Sequence, residues 1–132
     1  MKEPRWLTLH DVDAFHSKQI QEHGGLQGLR DKNLLQSALG RPQQLLAYSD
    51  KTDIFELAAA YAYGIIKNHP FLDGNKRTGI ITAAIFLMMN GYNIIASEED
   101  LYLNTISLAN GTQTESQFAK WLQENSAMQI QL

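Results

Sequence analysis

The chain has 132 residues, enough for one sizeable core and too few for two ordinary domains, and its 44% hydrophobic and 19% charged content is that of a globular sequence. A formal net charge of −3 gives no overall basic field, so no direct nucleic-acid partner is expected, and the lack of cysteine excludes disulfides and thiolate metal sites. No apolar run reaches membrane-spanning length, and Met1-Lys2-Glu3-Pro4-Arg5 is not followed by a signal-peptide core, so a cytoplasmic protein without a membrane partner is expected.

In chain order, Thr8 and Asp11 form a capping-box start for a helix that Gly24-Gly25 ends after about His23. His10, His16 and His23 lie along it, but spacings of six and seven do not stack two imidazoles within one turn, which argues against a shared metal. Asp31 can cap a short second helix through about Leu39, stopping at Gly40-Arg41-Pro42, and residues 43–50 show no clear period. Thr52 or Asp53 caps a third helix to about Lys67, with Ile54, Leu57, Ala58, Tyr61 and Ile65 at helical spacing and Tyr61 and Tyr63 read as packing residues. A fourth helix starts near Asn75 and ends at Asn90-Gly91. It is apolar almost all round over Ile80–Met89, which predicts a central buried position. Tyr92–Ala96 is β-prone with nothing obvious to pair with. Ser97-Glu98-Glu99-Asp100 opens a helix to about Ala109, and Thr114 with Gln117 caps a last one through about Glu124, with Phe118, Trp121 and Leu122 facing inward. The fold class is therefore all-α: one domain over residues 1–132, a bundle of about six helices whose core spans about 7–125, with a frayed tail at 126–132.

The charge distribution singles out one stretch. Between Leu57 and Ser97 the only charged side chains are Lys67, Asp73, Lys76 and Arg77, all in or beside His69-Pro70-Phe71-Leu72-Asp73-Gly74-Asn75-Lys76-Arg77-Thr78-Gly79. Gly74 permits a sharp turn, so the N–H groups of Gly74, Asn75 and Lys76 can converge at a helix start where the dipole favours an anion. Lys76 and Arg77 add cations, Asp73 can hold Mg²⁺ through oxygen, and His69 is the side chain here suited to accept a proton near neutrality. This is a kit for phosphoryl or nucleotidyl transfer. The same residue types also make a turn with a capped helix start, and only their clustering favours a site.

The stretch resembles the Fic motif, His-x-Phe-x-Asp/Glu-Gly-Asn-Gly-Arg-x-x-Arg, matching at His69, Phe71, Asp73, Gly74, Asn75 and Arg77. Two positions depart. Lys76 stands where adenylylating Fic enzymes carry glycine, and Ile80 stands where they carry a second arginine. Both departures are typical of the death-on-curing (Doc-like) branch, the toxins of toxin–antitoxin modules, and the similarity extends through Gly24-Gly25-Leu26-x-Gly28-Leu29-Arg30-Asp31 and Gly40-Arg41-Pro42 to cover about Leu7 to Asn125.

The resemblance implies a kinase that transfers phosphate from ATP to a serine or threonine hydroxyl of a protein, in this branch elongation factor Tu, and so inhibits translation. It gives His69 the role of general base, Asp73 that of Mg²⁺ ligand, and Gly74, Asn75, Lys76 and Arg77 the phosphates. Lys67 either adds a phosphate contact or is a solvated helix-end lysine. Residues 43–50 would correspond to the flap over the target peptide, or to an ordinary surface loop. Adenylyl transfer and a non-enzymatic binding fold are the alternatives. Autoinhibited Fic proteins carry Ser/Thr-x-x-x-Glu-Gly/Asn; here Glu124-Asn125 is the nearest match, but Lys120 occupies the Ser/Thr position. Inhibition is therefore expected in trans, from a Phd-like antitoxin that orders on binding.

Overall fold

The computed structural model describes residues 2–130 and contains six helices and a two-stranded sheet: α1 Leu9–His23, α2 Lys32–Tyr48, α3 Ile54–Asn68, α4 Asn75–Met89, β1 Tyr92–Ile94, α5 Glu98–Asn110, α6 Glu115–Glu124 and β2 Ser126–Met128. The all-α expectation holds, and the predicted caps are formed at Thr8, Asp31, Asp53, Ser97 and Thr114, each accepting from a backbone N–H of the first turn.

The middle of the bundle is α3. Its residues Leu57 to Ala62 and Gly64 to Ile66 are all buried, because Ala58, Ala59, Ala60, Ala62 and Gly64 are small enough for α2, α4, α5 and α6 to pack around it. The fourth helix, expected to be buried, is more one-sided. Thr78, Gly79, Thr82, Ala83, Phe86 and Leu87 face inward, while Ile80, Ile81, Ala84 and Ile85 are half-buried and Met88 is exposed. Uniform apolarity shows that a helix tolerates burial, and the number of neighbours decides how much it receives.

Three expectations are corrected. The second helix does not stop at Gly40-Arg41-Pro42 but runs through it to Tyr48. Pro42 has no N–H to give the carbonyl four residues back, yet Leu35, Ala38, Leu39 and Pro42 form one buried stripe, and that burial outweighs a missing hydrogen bond. Residues 43–48 are consequently helical and not a loop; Gln43, Gln44, Leu46, Ala47 and Asp50 line a depression with Glu3 and Trp6, and Gln44 also lines one with Lys67 and Asn68. Finally, the β-prone segment after α4 and the supposedly frayed tail are each other's partners: Tyr92, Asn93 and Ile94 pair antiparallel with Met128, Ala127 and Ser126. Of the tail, Gln131 and Leu132 lie outside the described residues.

Arg41 fastens α2 to α6 through a bidentate pair with Glu115, at 2.8 and 2.6 Å, and its guanidinium lies 4.9 Å from the centre of the Tyr63 ring on α3. Burial pushes the Glu115 carboxyl up from its ordinary range while Arg41 pulls it back, so this pair sets geometry more than it adds stability.

Two helical glycines should respond oppositely to substitution. A Cβ at Gly64 would stand 3.2 Å from both Cα and Cβ of Ala38, whose backbone cannot yield, whereas one at Gly40 meets nothing within 4 Å. Gly64→Val should cost at least about 2 kcal/mol by overpacking, and Gly40→Ala should add up to about 1 kcal/mol from helix propensity, both read from urea denaturation midpoints.

Candidate active site

The motif stretch is the connection between α3 and α4, and its shape begins with a backbone anomaly. His69, the C-cap of α3, has φ 53° and ψ 52°, the only non-glycine with positive φ among the described residues. The next residue is Pro70, which favours an extended residue before it, so this conformation costs on the order of 1–3 kcal/mol. Surrounding contacts hold it. Arg30 donates from Nε to the His69 carbonyl at 2.7 Å and from Nη2 to the Asn68 carbonyl at 3.0 Å. The backbone N–H groups of Arg30 and Asp31 both donate to the Pro70 carbonyl, and the N–H of Leu72 donates to that of Gly28. The segment lying antiparallel to the motif is thus Gly28–Asp31, bridged at Leu29 and Phe71.

From Phe71 onward the turn is gripped from inside. Asn75 is buried, and its carboxamide accepts from the Phe71 N–H at 2.9 Å and donates to the Phe71 carbonyl at 3.0 Å. The Asn75 side chain, expected to hold a phosphate, thus uses its oxygen and one N–H on the Phe71 backbone, because a buried amide left unpaired would be costly. From α1, the His16 ring stacks on Phe71 at 3.9 Å and its Nε2 hydrogen-bonds the Asp73 carbonyl at 2.8 Å, which fixes Nε2 as the protonated nitrogen. Gln19 donates to the Gly74 carbonyl at 3.3 Å. His16 and Gln19 were not singled out by sequence reasoning, which weighed His16 only as a metal ligand. The available signal was their place on the Val12–Ile20 stripe, as polar residues on an apolar face. Arg30 carries no comparable signal.

Gly74, in the left-handed region at φ 74°, is the N-cap of α4, and no side chain caps this helix. Its first N–H groups open onto a cavity of about 260 Å³ lined by His69, Asp73, Gly74, Asn75, Lys76, Arg77 and Tyr102, among others. Asp73 accepts from the N–H of Gly74 at 2.9 Å and of Leu26 at 3.3 Å, leaving carboxylate lone pairs uncommitted. Arg77 lies with its guanidinium 5.4 Å from the centre of the Tyr102 ring. Lys67 is not in this cavity: it donates to the Tyr63 hydroxyl at 3.2 Å and lines a neighbouring one of about 570 Å³, with His69 and Lys76 shared between the two. Nδ1 of His69 is 3.4 Å from the Ile66 carbonyl, and the tautomer that uses this contact leaves Nε2 as the proton acceptor.

No group of three or more His, Asp or Glu side chains that could cage a metal occurs among the described residues. The donor set fits Mg²⁺ nonetheless, since that ion is commonly held by one carboxylate together with substrate phosphates, and Asp73 supplies the carboxylate beside the uncapped helix start.

The sequence profile of the Fic/DOC family matches residues 6–87, well over half of the chain. The chain is 35% identical over 118 residues to the protein kinase Doc of Escherichia phage P1, covering 89% of this chain and 93% of that one. It is 38% identical over 74 residues to the toxin Doc of Mycolicibacterium smegmatis, covering 55% and 57% respectively. A crystal structure of the N-terminal Fic domain of a Bartonella quintana cell filamentation protein, a VirB-translocated Bep effector with bound ADP, aligns over 72% of this chain and 48% of its own, at a TM-score of 0.47 and 20% identity. With its motif residues gathered on one turn between α3 and α4, and a relative matched over nearly the whole length of both sequences, this chain belongs to the Fic/DOC family.

Proposed function

We propose that this chain is a Doc-like toxin that transfers the γ-phosphoryl group of ATP to a serine or threonine hydroxyl of a protein, with elongation factor Tu as the target implied by its branch of the family and the cytoplasm as its place of action. One observation carries the phosphate assignment. Five of the six helices have their first turn capped by a side chain, and the one that does not is α4, where Gly74 leaves the N–H groups facing the motif cavity. A helix start left uncapped beside Lys76 and Arg77 is a ready anion site. The single ion pair among the described residues is Arg41–Glu115, so neither cation, nor Lys67, is neutralised by a protein carboxylate at salt-bridge distance.

In this reading the α4 amides and Arg77 hold phosphate oxygens, and Lys76, between the two cavities, offsets charge that develops as the phosphoryl group moves. The target oxygen bonds to the γ-phosphorus, the bond from phosphorus to the β–γ bridging oxygen breaks, ADP leaves, and the hydroxyl proton passes to His69. Mg²⁺, when bound, would neutralise phosphate charge beside Asp73. Lys67 reaches a phosphate only if the nucleotide extends into the second cavity. Adenylyl transfer is the second reading, favoured by the intact Asp73-Gly74-Asn75. Against it stand the bulk of Lys76 at the usual glycine position and the engagement of Ile80, half-buried against the core where a second arginine would be needed.

Mass spectrometry of the target separates the chemistries, at about +80 Da for phosphate and about +329 Da for AMP. His69→Ala should lower transfer by at least about 10²-fold with circular dichroism unchanged; a folded mutant of wild-type activity would remove His69 from proton transfer. Lys76→Gly should weaken phosphoryl transfer and admit a trace of adenylylation, without full conversion because Ile80 remains. Unchanged phosphoryl transfer in that mutant would mean that Lys76 does not set the nucleotide's pose. Because Lys120 breaks the self-inhibitory pattern, a small Phd-like antitoxin should act in trans. Expression of this chain alone should arrest growth and co-expression restore it, and harmless expression of soluble protein in a host with a competent target would count against the toxin reading.

A further inference from the structure

We propose that Arg30 is a positioning residue that holds His69 in its left-handed conformation and thereby aims the imidazole. The inference rests on the reading of His69 as the proton acceptor. The His69 N–H completes a local cap bond to the Ile65 carbonyl at 3.1 Å, but the following proline disfavours φ 53°, so tertiary contacts add to what holds it. The backbone bonds from Gly28–Asp31 grip Pro70 and Leu72, one residue or more beyond His69. Among the described residues, the Arg30 guanidinium alone of the side chains reaches the carbonyls on both sides of the His69 Cα, those of Asn68 and His69, at 3.0 and 2.7 Å. Fixing both peptide planes fixes φ and ψ of the residue between them, and the Cα–Cβ bond follows. These two carbonyls are also the last of α3, where the helix dipole favours a cation. The planar fork is needed for this geometry, since a lysine ammonium has no second arm at a fixed angle. Arg30 and His69 are both exposed, so the clamp works at the surface, where the unclamped turn would be free to relax towards the extended form that Pro70 favours.

Arg30 lines neither cavity of the motif, so its loss should spare nucleotide binding and slow the chemical step. With the full chain, Arg30→Ala is expected to lower label transfer from saturating ATP by about 10- to 100-fold, the scale of a misaimed catalytic group. Affinity for fluorescent ADP should stay within about 3-fold. Arg30→Lys should fall between the two, and tens of millimolar guanidinium, but not tetramethylammonium, should restore part of the Arg30→Ala rate. The His69 backbone carbon chemical shifts should move from left-handed to extended values in Arg30→Ala. Wild-type turnover with unchanged His69 shifts would overturn the proposal. So would a loss of turnover and nucleotide affinity together that guanidinium and lysine both fail to repair, since that marks damage to the fold. If the wild type itself transfers nothing from ATP, the functional reading fails, and the His69 shifts alone then decide whether Arg30 is the clamp.

Discussion

The two hydrogen bonds between the Asn75 carboxamide and the backbone of Phe71 are the constraint on which the site depends. They close a ring across the first residue of α4 and the turn that precedes it, so Asp73 and Gly74 have little freedom left. Breaking either would leave a buried polar group unpaired at roughly 1–3 kcal/mol, a penalty no alternative loop shape avoids without water. With the ring closed, the Phe71 side chain enters the core, and His16 from α1 covers its face. The uncapped amides at the start of α4, where a phosphate is proposed to bind, are thus set by a buried residue.

The remainder of the fold supplies a rigid support for this turn. Since α3 is surrounded on all sides and α4 packs along it, the ends of the two helices that the motif joins cannot separate. The candidate site side chains His69, Asp73, Lys76 and Arg77 are exposed, yet each stands on backbone fixed from below. That arrangement pays for accessible chemistry with strain at one residue, His69, and with buried polar groups at Asn75, His16 and Gln19.

Electrostatically the site is unbalanced by construction. Lys67, Lys76 and Arg77 bring positive charge, Asp73 is the one acidic side chain lining the motif cavity among the described residues, and Glu115, which also feels Lys67, is held in its pair with Arg41. Although the net charge is −3, the local field at the start of α4 is positive, and it is the local field that a bound polyanion would meet.

The sequence by itself determined the helices with strong caps and the stretch that forms the candidate site. Thr8, Asp31, Asp53, Ser97 and Thr114 act on backbone within three residues, so their effect is local and readable. The clustering of charge around His69–Arg77 likewise needs no partner to be seen. Tertiary structure alone decided what depends on distant residues. Pro42 remains helical because α2 buries a stripe against α3, and the segment at 92–94 becomes a strand because 126–128 comes to lie beside it. Asn75 bonds the Phe71 backbone through its side chain, and the motif is bracketed by Gly28–Asp31. His69 adopts a conformation that its own sequence disfavours because Arg30, thirty-nine positions away, holds the carbonyls on either side. Local preference is a matter of a kilocalorie or so per residue, and a few long-range contacts are enough to overrule it.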